Sequence, residues 1–114
     1  MSGQDLFNEL QEVQRKLETS LKKLFKNGVN LSECEKSYRI ALAKKQLELT
    51  AQGYKVTIVS DLSRGDSEVA QLKLLRDIAE VEYKTCMEAI NVRKIESRSL
   101  ENQIDREWSR KWAV

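Results

Sequence analysis

The sequence predicts an all-α protein in which an antiparallel helical hairpin packs on one very long C-terminal helix, in a coiled-coil-like three-helix arrangement. The first reason is composition: the 114 residues contain no proline and only four glycines. The second is a coiled-coil spacing of apolar residues near the N-terminus. The third is a segment over residues 66–112 that lacks both glycine and proline. The length fits a single domain over residues 1–114.

The first helix is predicted over residues 4–26. Its apolar face alternates in steps of four and three residues, at Leu6, Leu10, Val13, Leu17, Ser20 and Leu24. This spacing is typical of a coiled-coil seam. Asn27 and Gly28 predict the end of the helix, because both residue types accept left-handed backbone dihedrals.

The second helix is predicted over residues 32–52. Ser32 followed by Glu35 has the pattern of a capping box, and Gly53 predicts the C-terminal stop. Two apolar faces indicate a helix between two neighbours, one with Tyr38, Leu42 and Leu49 and the other with Ile40, Ala43 and Leu47. The short link before Ser32 makes the first two helices antiparallel neighbours.

A short helical turn is predicted over residues 57–64. The run of Val and Ile there favours a strand locally, but a lone strand has no partner in this chain. In the helical interpretation Thr57 is the N-cap, and Ile58 and Leu62 face inward. Asp66 then caps the helix that follows.

The long helix over 66–112 would measure about 70 Å, against about 30 to 35 Å for each of the first two helices. We therefore expect the hairpin to cover only residues 69–90. Beyond them a slanting ridge recurs every four residues, at Leu100, Ile104, Trp108 and Trp112. Either the helix breaks near 97–99 and folds back, or a second chain covers the ridge. The absence of turn residues favours a homodimer.

The sequence contains no recognisable catalytic motif. There is no histidine, and no phosphate loop, nucleophile elbow or calcium loop is present. Two separated cysteines, Cys34 and Cys86, are expected to be free buried thiols rather than zinc ligands. A disulfide between them would require their two helices to be neighbours. The many carboxylates mostly have basic neighbours and indicate solvated helix faces. We predict no enzyme, no catalytic residue, no metal and no cofactor.

Binding is the better-supported activity. The ridge with Arg106 and Arg110 has the Trp and Arg content of a protein interface, although the same residues could stack bases and contact phosphates. Interleaved acidic residues and a net charge of only +2 favour a protein partner over nucleic acid. The two tryptophans could alternatively form a dimer core. Asp61 and Arg64 either pair with each other or contact a partner.

The sequence also indicates a cytoplasmic location. No apolar run approaches the roughly 18 residues of a membrane helix. The N-terminus, MSGQDLFNEL, is acidic and amphipathic and does not have the pattern of a signal peptide. We therefore expect no membrane partner.

Three short segments carry a resemblance: GYKVTIVSDLSRGD at 53–66, EAINVRK at 88–94 and QIDREW at 103–108. Together they resemble small helical accessory proteins of temperate phages and prophages of Gram-positive bacteria, whose relatives mostly lack an assigned activity. The resemblance implies a protein of the bacterial host cytoplasm. The expected function is a non-enzymatic interaction module that binds and modulates a larger phage or host protein. One alternative is an inhibitor of host defence, such as an anti-CRISPR protein blocking a Cas nuclease. The other is an accessory nucleic-acid-binding protein of phage DNA metabolism.

Overall fold

The computed structural model describes residues 2–112, and the side chains of all of these except Trp112. They form three helices: α1 over Gly3–Ala51, α2 over Val56–Gly65 and α3 over Ser67–Trp112. Helix α1 packs on the long helix α3, and no strand occurs between residues 2 and 112. The predicted all-α, three-helix class with a very long C-terminal helix is confirmed.

The predicted end of the first helix at Asn27 and Gly28 is wrong, because α1 runs without a break through both residues. Gly28 allows a close approach of Tyr83 to the helix rather than forming a turn. A Cβ added there would lie 3.3 Å from Cε2 of Tyr83, tighter than most side-chain contacts. The predicted restart at Ser32 is also wrong, since its hydroxyl donates to the Gly28 carbonyl oxygen at 3.0 Å within the helix.

Helix α1 ends where Gly53 was predicted to stop it. Gly53 adopts a φ of +90°, which L side chains rarely reach. Its N–H donates to the Thr50 carbonyl at 3.1 Å, and the Tyr54 N–H donates to the Leu49 carbonyl at 3.2 Å. This pair of bonds is a Schellman motif, which satisfies carbonyls that the helix end would leave without donors.

Helix α2 buries a different face from the one predicted. Val59 and Ser63 are buried, whereas Ile58 and Leu62 are substantially exposed. The prediction was off by one residue, and one residue turns a helix by about 100°. The buried Ser63 hydroxyl is satisfied locally, because it donates to the Val59 carbonyl at 2.6 Å.

Asp66 joins α2 to α3. Its N–H donates to the Ser63 carbonyl at 3.3 Å, and its Oδ2 accepts from the Val69 N–H at 3.2 Å, which confirms the predicted cap. Lys45 of α1 lies 3.4 Å from its Oδ1. The Val69 N–H, followed by Lys45, holds the pKa of Asp66 below its usual value. At the other end of α2 the N-cap is Lys55 rather than the predicted Thr57.

The chain groups into two compact units. Met1–Phe25 and Lys84–Val114 form one, called here the terminal unit, and Lys26–Tyr83 form the other, the middle unit. Both α1 and α3 contribute residues to each unit. The single folding domain over residues 1–114 stays a prediction.

The terminal unit is an antiparallel helix pair. Leu6, Val13 and Leu100 form its buried cluster, and Leu10 and Ile104 pack against them. The first half of α1 therefore covers the C-terminal part of α3. The prediction that only residues 69–90 of the long helix are covered is wrong, because it depended on a first helix that stopped at residue 26.

The middle unit combines an apolar core with an ion-pair network. The core includes the buried Leu49, Val59, Val69 and Ala79. The Arg76 guanidinium of α3 pairs with Glu35 of α1. It also lies 2.9 Å from the Asp77 carboxylate and 3.0 Å from the Glu80 carboxylate, both on α3. Arg39, followed by Arg76, holds the pKa of Glu35 below its usual value. Most charged groups of this network therefore pair with one another.

A double-mutant cycle tests why Gly28 is present. In a Tyr83→Ala background, Gly28→Ala should stabilise the protein by about 0.5–1 kcal/mol, the helix-propensity gain of alanine over glycine. With Tyr83 present the gain should be smaller, because the ring must move away from the new Cβ. Urea unfolding followed by circular dichroism measures both. Destabilisation by Gly28→Ala in both backgrounds would instead indicate a turn at this glycine.

The middle unit should lose stability in acid. The folded protein holds the pKa values of three carboxyl groups below their usual ones, those of Glu35, Asp66 and Asp77. Their contribution to the free energy of unfolding is complete above their pKa values in the unfolded chain, which are about 4, and is lost as the pH falls through the folded-state values. Glu35→Gln should therefore reduce the loss of unfolding free energy as the pH is lowered from about 6 to about 3. Glu33→Gln, on an exposed carboxylate two residues away, is the control. Equal pH dependence in the two variants would contradict a role for the network.

Candidate functional site

An apolar opening in the terminal unit lies where α1 begins and α3 ends. It is an open cavity of about 640 Å³. Phe7, Ile104 and Trp108 supply its apolar surface, and we call it the Trp108 groove. Its remaining lining residues are small or polar: Gly3, Gln4, Glu107, Arg110 and Lys111. One wall therefore comes from each helix of the pair.

The α1 wall is positioned by a capping box. The Asp5 N–H donates to the Ser2 hydroxyl at 3.2 Å, and the Ser2 N–H donates to the Asp5 carboxylate at 3.4 Å. These reciprocal bonds satisfy two donors and hold the first turn of α1 in place. Phe7 follows half a turn later with 48 % of its surface exposed. It lies beside the buried Leu6, so the same turn supplies both core and groove.

The α3 wall follows the predicted slanting ridge. Leu100 is 8 % exposed, Ile104 is half-buried and Trp108 is 63 % exposed. Each step of four residues advances about 40° around a helix, so the ridge turns away from the core toward the C-terminus. Leu100 is therefore a core residue, and only the later part of the ridge is accessible. The side chain of Trp112 lies outside the described residues.

The predicted arginines lie beside this groove. A second cavity of about 320 Å³ is lined by Leu6, Gln103, Arg106, Glu107 and Arg110. Arg110 contributes to both cavities and lies 3.6 Å from Glu107, in an exposed pair of little energetic weight. Arg106, Arg110 and Lys111 thus place three cationic groups at this end of the terminal unit, against the Glu107 carboxylate. Arg110 and Lys111 also oppose the negative end of the α3 dipole.

Asp61 and Arg64 belong to the middle unit. Both lie on α2 with exposed side chains. Between residues 2 and 112 the structure has no ion pair that joins the two, although they are three residues apart. A partner contact through them stays a prediction, separate from the Trp108 groove.

Sequence reasoning missed Phe7 as part of the site. Phe7 lies outside the predicted seam of the first helix, and the predicted hairpin placed that helix against residues 69–90 rather than beside the ridge. A usable signal was present, since Phe7 lies off the seam that Leu6 and Leu10 define. An aromatic side chain outside a seam must face solvent or another neighbour.

Cys34 and Cys86 are free thiols, the first half-buried and the second buried. No group of three or more potential metal ligands occurs in the described residues. Within that same part of the chain, none of the three helices has both the length and the apolar character needed to cross a membrane.

Comparison with known proteins gives no relative. No protein-family model matches the chain, and neither a curated protein nor a solved structure matches it. The resemblance to phage accessory proteins stays a prediction.

Proposed function

We propose that this protein is a non-enzymatic interaction module that binds and modulates a larger protein through the Trp108 groove. One observation carries the proposal: Phe7 and Trp108 are 48 % and 63 % exposed around one open cavity. Large aromatic side chains in this position lose apolar hydration when a partner covers them, which favours association. Arg110 at the rim adds the residue type that accompanies tryptophan at interface hot spots.

The mode of binding follows from the helix pair. A partner segment can lie along the groove and place apolar side chains between Phe7 and Trp108, as helices do in helix-binding grooves. The cationic groups of Arg106 and Arg110 then determine its register. Leu100 and Ile104 support the site from below by holding α3 on α1.

The partner in this proposal is a phage or host protein in the bacterial cytoplasm, as the sequence resemblance implies. Inhibition of a host defence system, for example by an anti-CRISPR protein that blocks a Cas nuclease, is a narrower form of the same proposal. It requires the same kind of surface, because a small inhibitor without catalytic groups acts by occupying part of its target.

Accessory nucleic-acid binding is the second candidate, supported by an exposed Trp108 close in sequence to Arg106 and Arg110. Asp105 and Glu107 interrupt these arginines along α3, and the net charge of the whole chain is only +2, so the described surface has no long basic track for a phosphate backbone. A protein partner therefore has the better electrostatic support.

We also propose that the protein forms a homodimer, although the original reason, an uncovered half of α3, no longer applies. Different support comes from an exposed row in the middle unit, where Leu74, Ile78 and Val81 lie on α3. Their spacing of four and three residues is that of a coiled-coil seam. A second copy of the chain could pack on this row.

Capture of the partner tests the proposed function. Tagged protein should retain a specific protein from phage-infected or host lysate, and Trp108→Ala should abolish this retention while circular dichroism stays unchanged. Phe25→Ala is the matched control, because Phe25 is also an exposed aromatic of the terminal unit, at 76 %, and does not line the groove. Equal capture by both variants would contradict the assignment of the groove. Retention of DNA or RNA at low salt that is lost steeply with added salt would favour the second candidate.

Sedimentation velocity tests the homodimer. The wild-type protein should sediment as a dimer, and Val81→Glu should convert it to a monomer by placing a charge in the row. Leu47→Glu is the control, since Leu47 is 71 % exposed in the same unit and lies outside the row. A monomeric wild-type protein at all concentrations would contradict the dimer.

A further inference from the structure

The terminal unit lacks a third helix in its described residues. In the middle unit α2 accompanies α1 and α3 and contributes the buried Val59 and Ser63. The terminal unit consists of segments of α1 and α3 alone. Two helices bury only the stripe that faces their partner, so residues flanking the stripe remain half-exposed. Phe7 and Trp108 are in this position.

The geometry of the groove suits a helix. Its walls are two antiparallel helices, and its apolar groups come from neighbouring turns on both of them: Phe7 on α1, Ile104 and Trp108 on α3. A third helix laid along such a pair completes the packing of a helical bundle, with its own apolar side chains at i, i+3, i+4 and i+7.

The charges around the groove specify the partner further. Arg106, Arg110 and Lys111 lie at or beside its rim. Only Glu107 among the lining residues of the two cavities is acidic, and it is already near Arg110. Positively charged side chains therefore outnumber negatively charged ones where the flanks of a docked helix would lie. Acidic flanks would be attracted there, and basic flanks would be repelled.

We infer that the Trp108 groove accepts an acidic amphipathic helix of the partner protein, which serves as the third helix of the terminal unit. The inference rests on the proposed function, since it specifies what the same groove binds. The apolar side of the partner helix packs on Phe7, Ile104 and Trp108. Its carboxylates face Arg110 and Lys111.

Synthetic helices of about 20 residues test this inference on the full chain carrying Trp112→Phe, which leaves Trp108 as the sole tryptophan. One peptide carries leucines at i, i+3, i+4 and i+7 with glutamates on both flanks and no aromatic residue. A second replaces the glutamates with lysines, and a third scrambles the acidic peptide. The acidic amphipathic peptide should move Trp108 emission to shorter wavelength and bind at least about tenfold more tightly than either other peptide.

Charge exchange provides the specificity control. Arg110→Glu with Lys111→Glu should reverse the preference toward the lysine peptide, which also shows that the groove is still folded. Lys22→Glu with Lys23→Glu makes the same change of net charge on exposed residues of the terminal unit away from the groove, and should leave the preference intact.

The outcomes separate this inference from the proposed function. Failure of the acidic peptide to bind, or equal binding of the lysine or scrambled peptide, overturns the inference. If Trp108-dependent capture from lysate persists in that case, the proposed function still stands. Tighter binding of a single-stranded DNA oligonucleotide than of the acidic peptide overturns both. Self-association that Trp108→Ala abolishes would identify a second copy of the chain as the occupant and would also overturn the inference.

Discussion

Gly28 lies in the interior of α1 with the ring of Tyr83 against it, and much of the fold depends on this glycine being helical. Because α1 continues through Gly28, its N-terminal half is available to pack on the C-terminal part of α3. That packing buries Leu100 with Leu6 and Val13 and creates the terminal unit. A chain reversal at the same position would have left Leu100 without a cover from its own chain.

Local signals in the sequence predicted two of the helix boundaries correctly. Gly53 needs a positive φ, and Asp66 accepts the Val69 N–H, so both were identified from their immediate neighbours. Gly28 was misinterpreted because glycine serves two purposes, a left-handed turn or a close approach. Only the position of Tyr83, 55 residues later in sequence, decides between them. No local pattern contains that information.

The candidate site was predictable only in part, because local patterns do not show which distant segment lies opposite. The ridge from Leu100 to Trp108 and its slant follow from helical geometry alone, and the structure places it as expected on α3. The burial of the ridge residues could not be predicted from helical geometry, because it depends on which segment of α1 packs against them. Phe7 completes the groove only because α1 is one helix, so the error at Gly28 concealed the opposite wall of the site.

The two units use their charged residues differently, and this difference bears on where the proposed partner would bind. In the middle unit Arg76 contacts three carboxylates, and Glu35 pairs with Arg76 and Arg39, so little of their charge is left for another molecule. At the end of the terminal unit, Arg106 and Lys111 have no ion pair within the described residues, and both lie close in sequence to the exposed Trp108. Cations without an ion pair among residues 2–112, next to a largely exposed aromatic ring, add little to the stability of the fold. The proposed contact with a partner protein would give these groups a role.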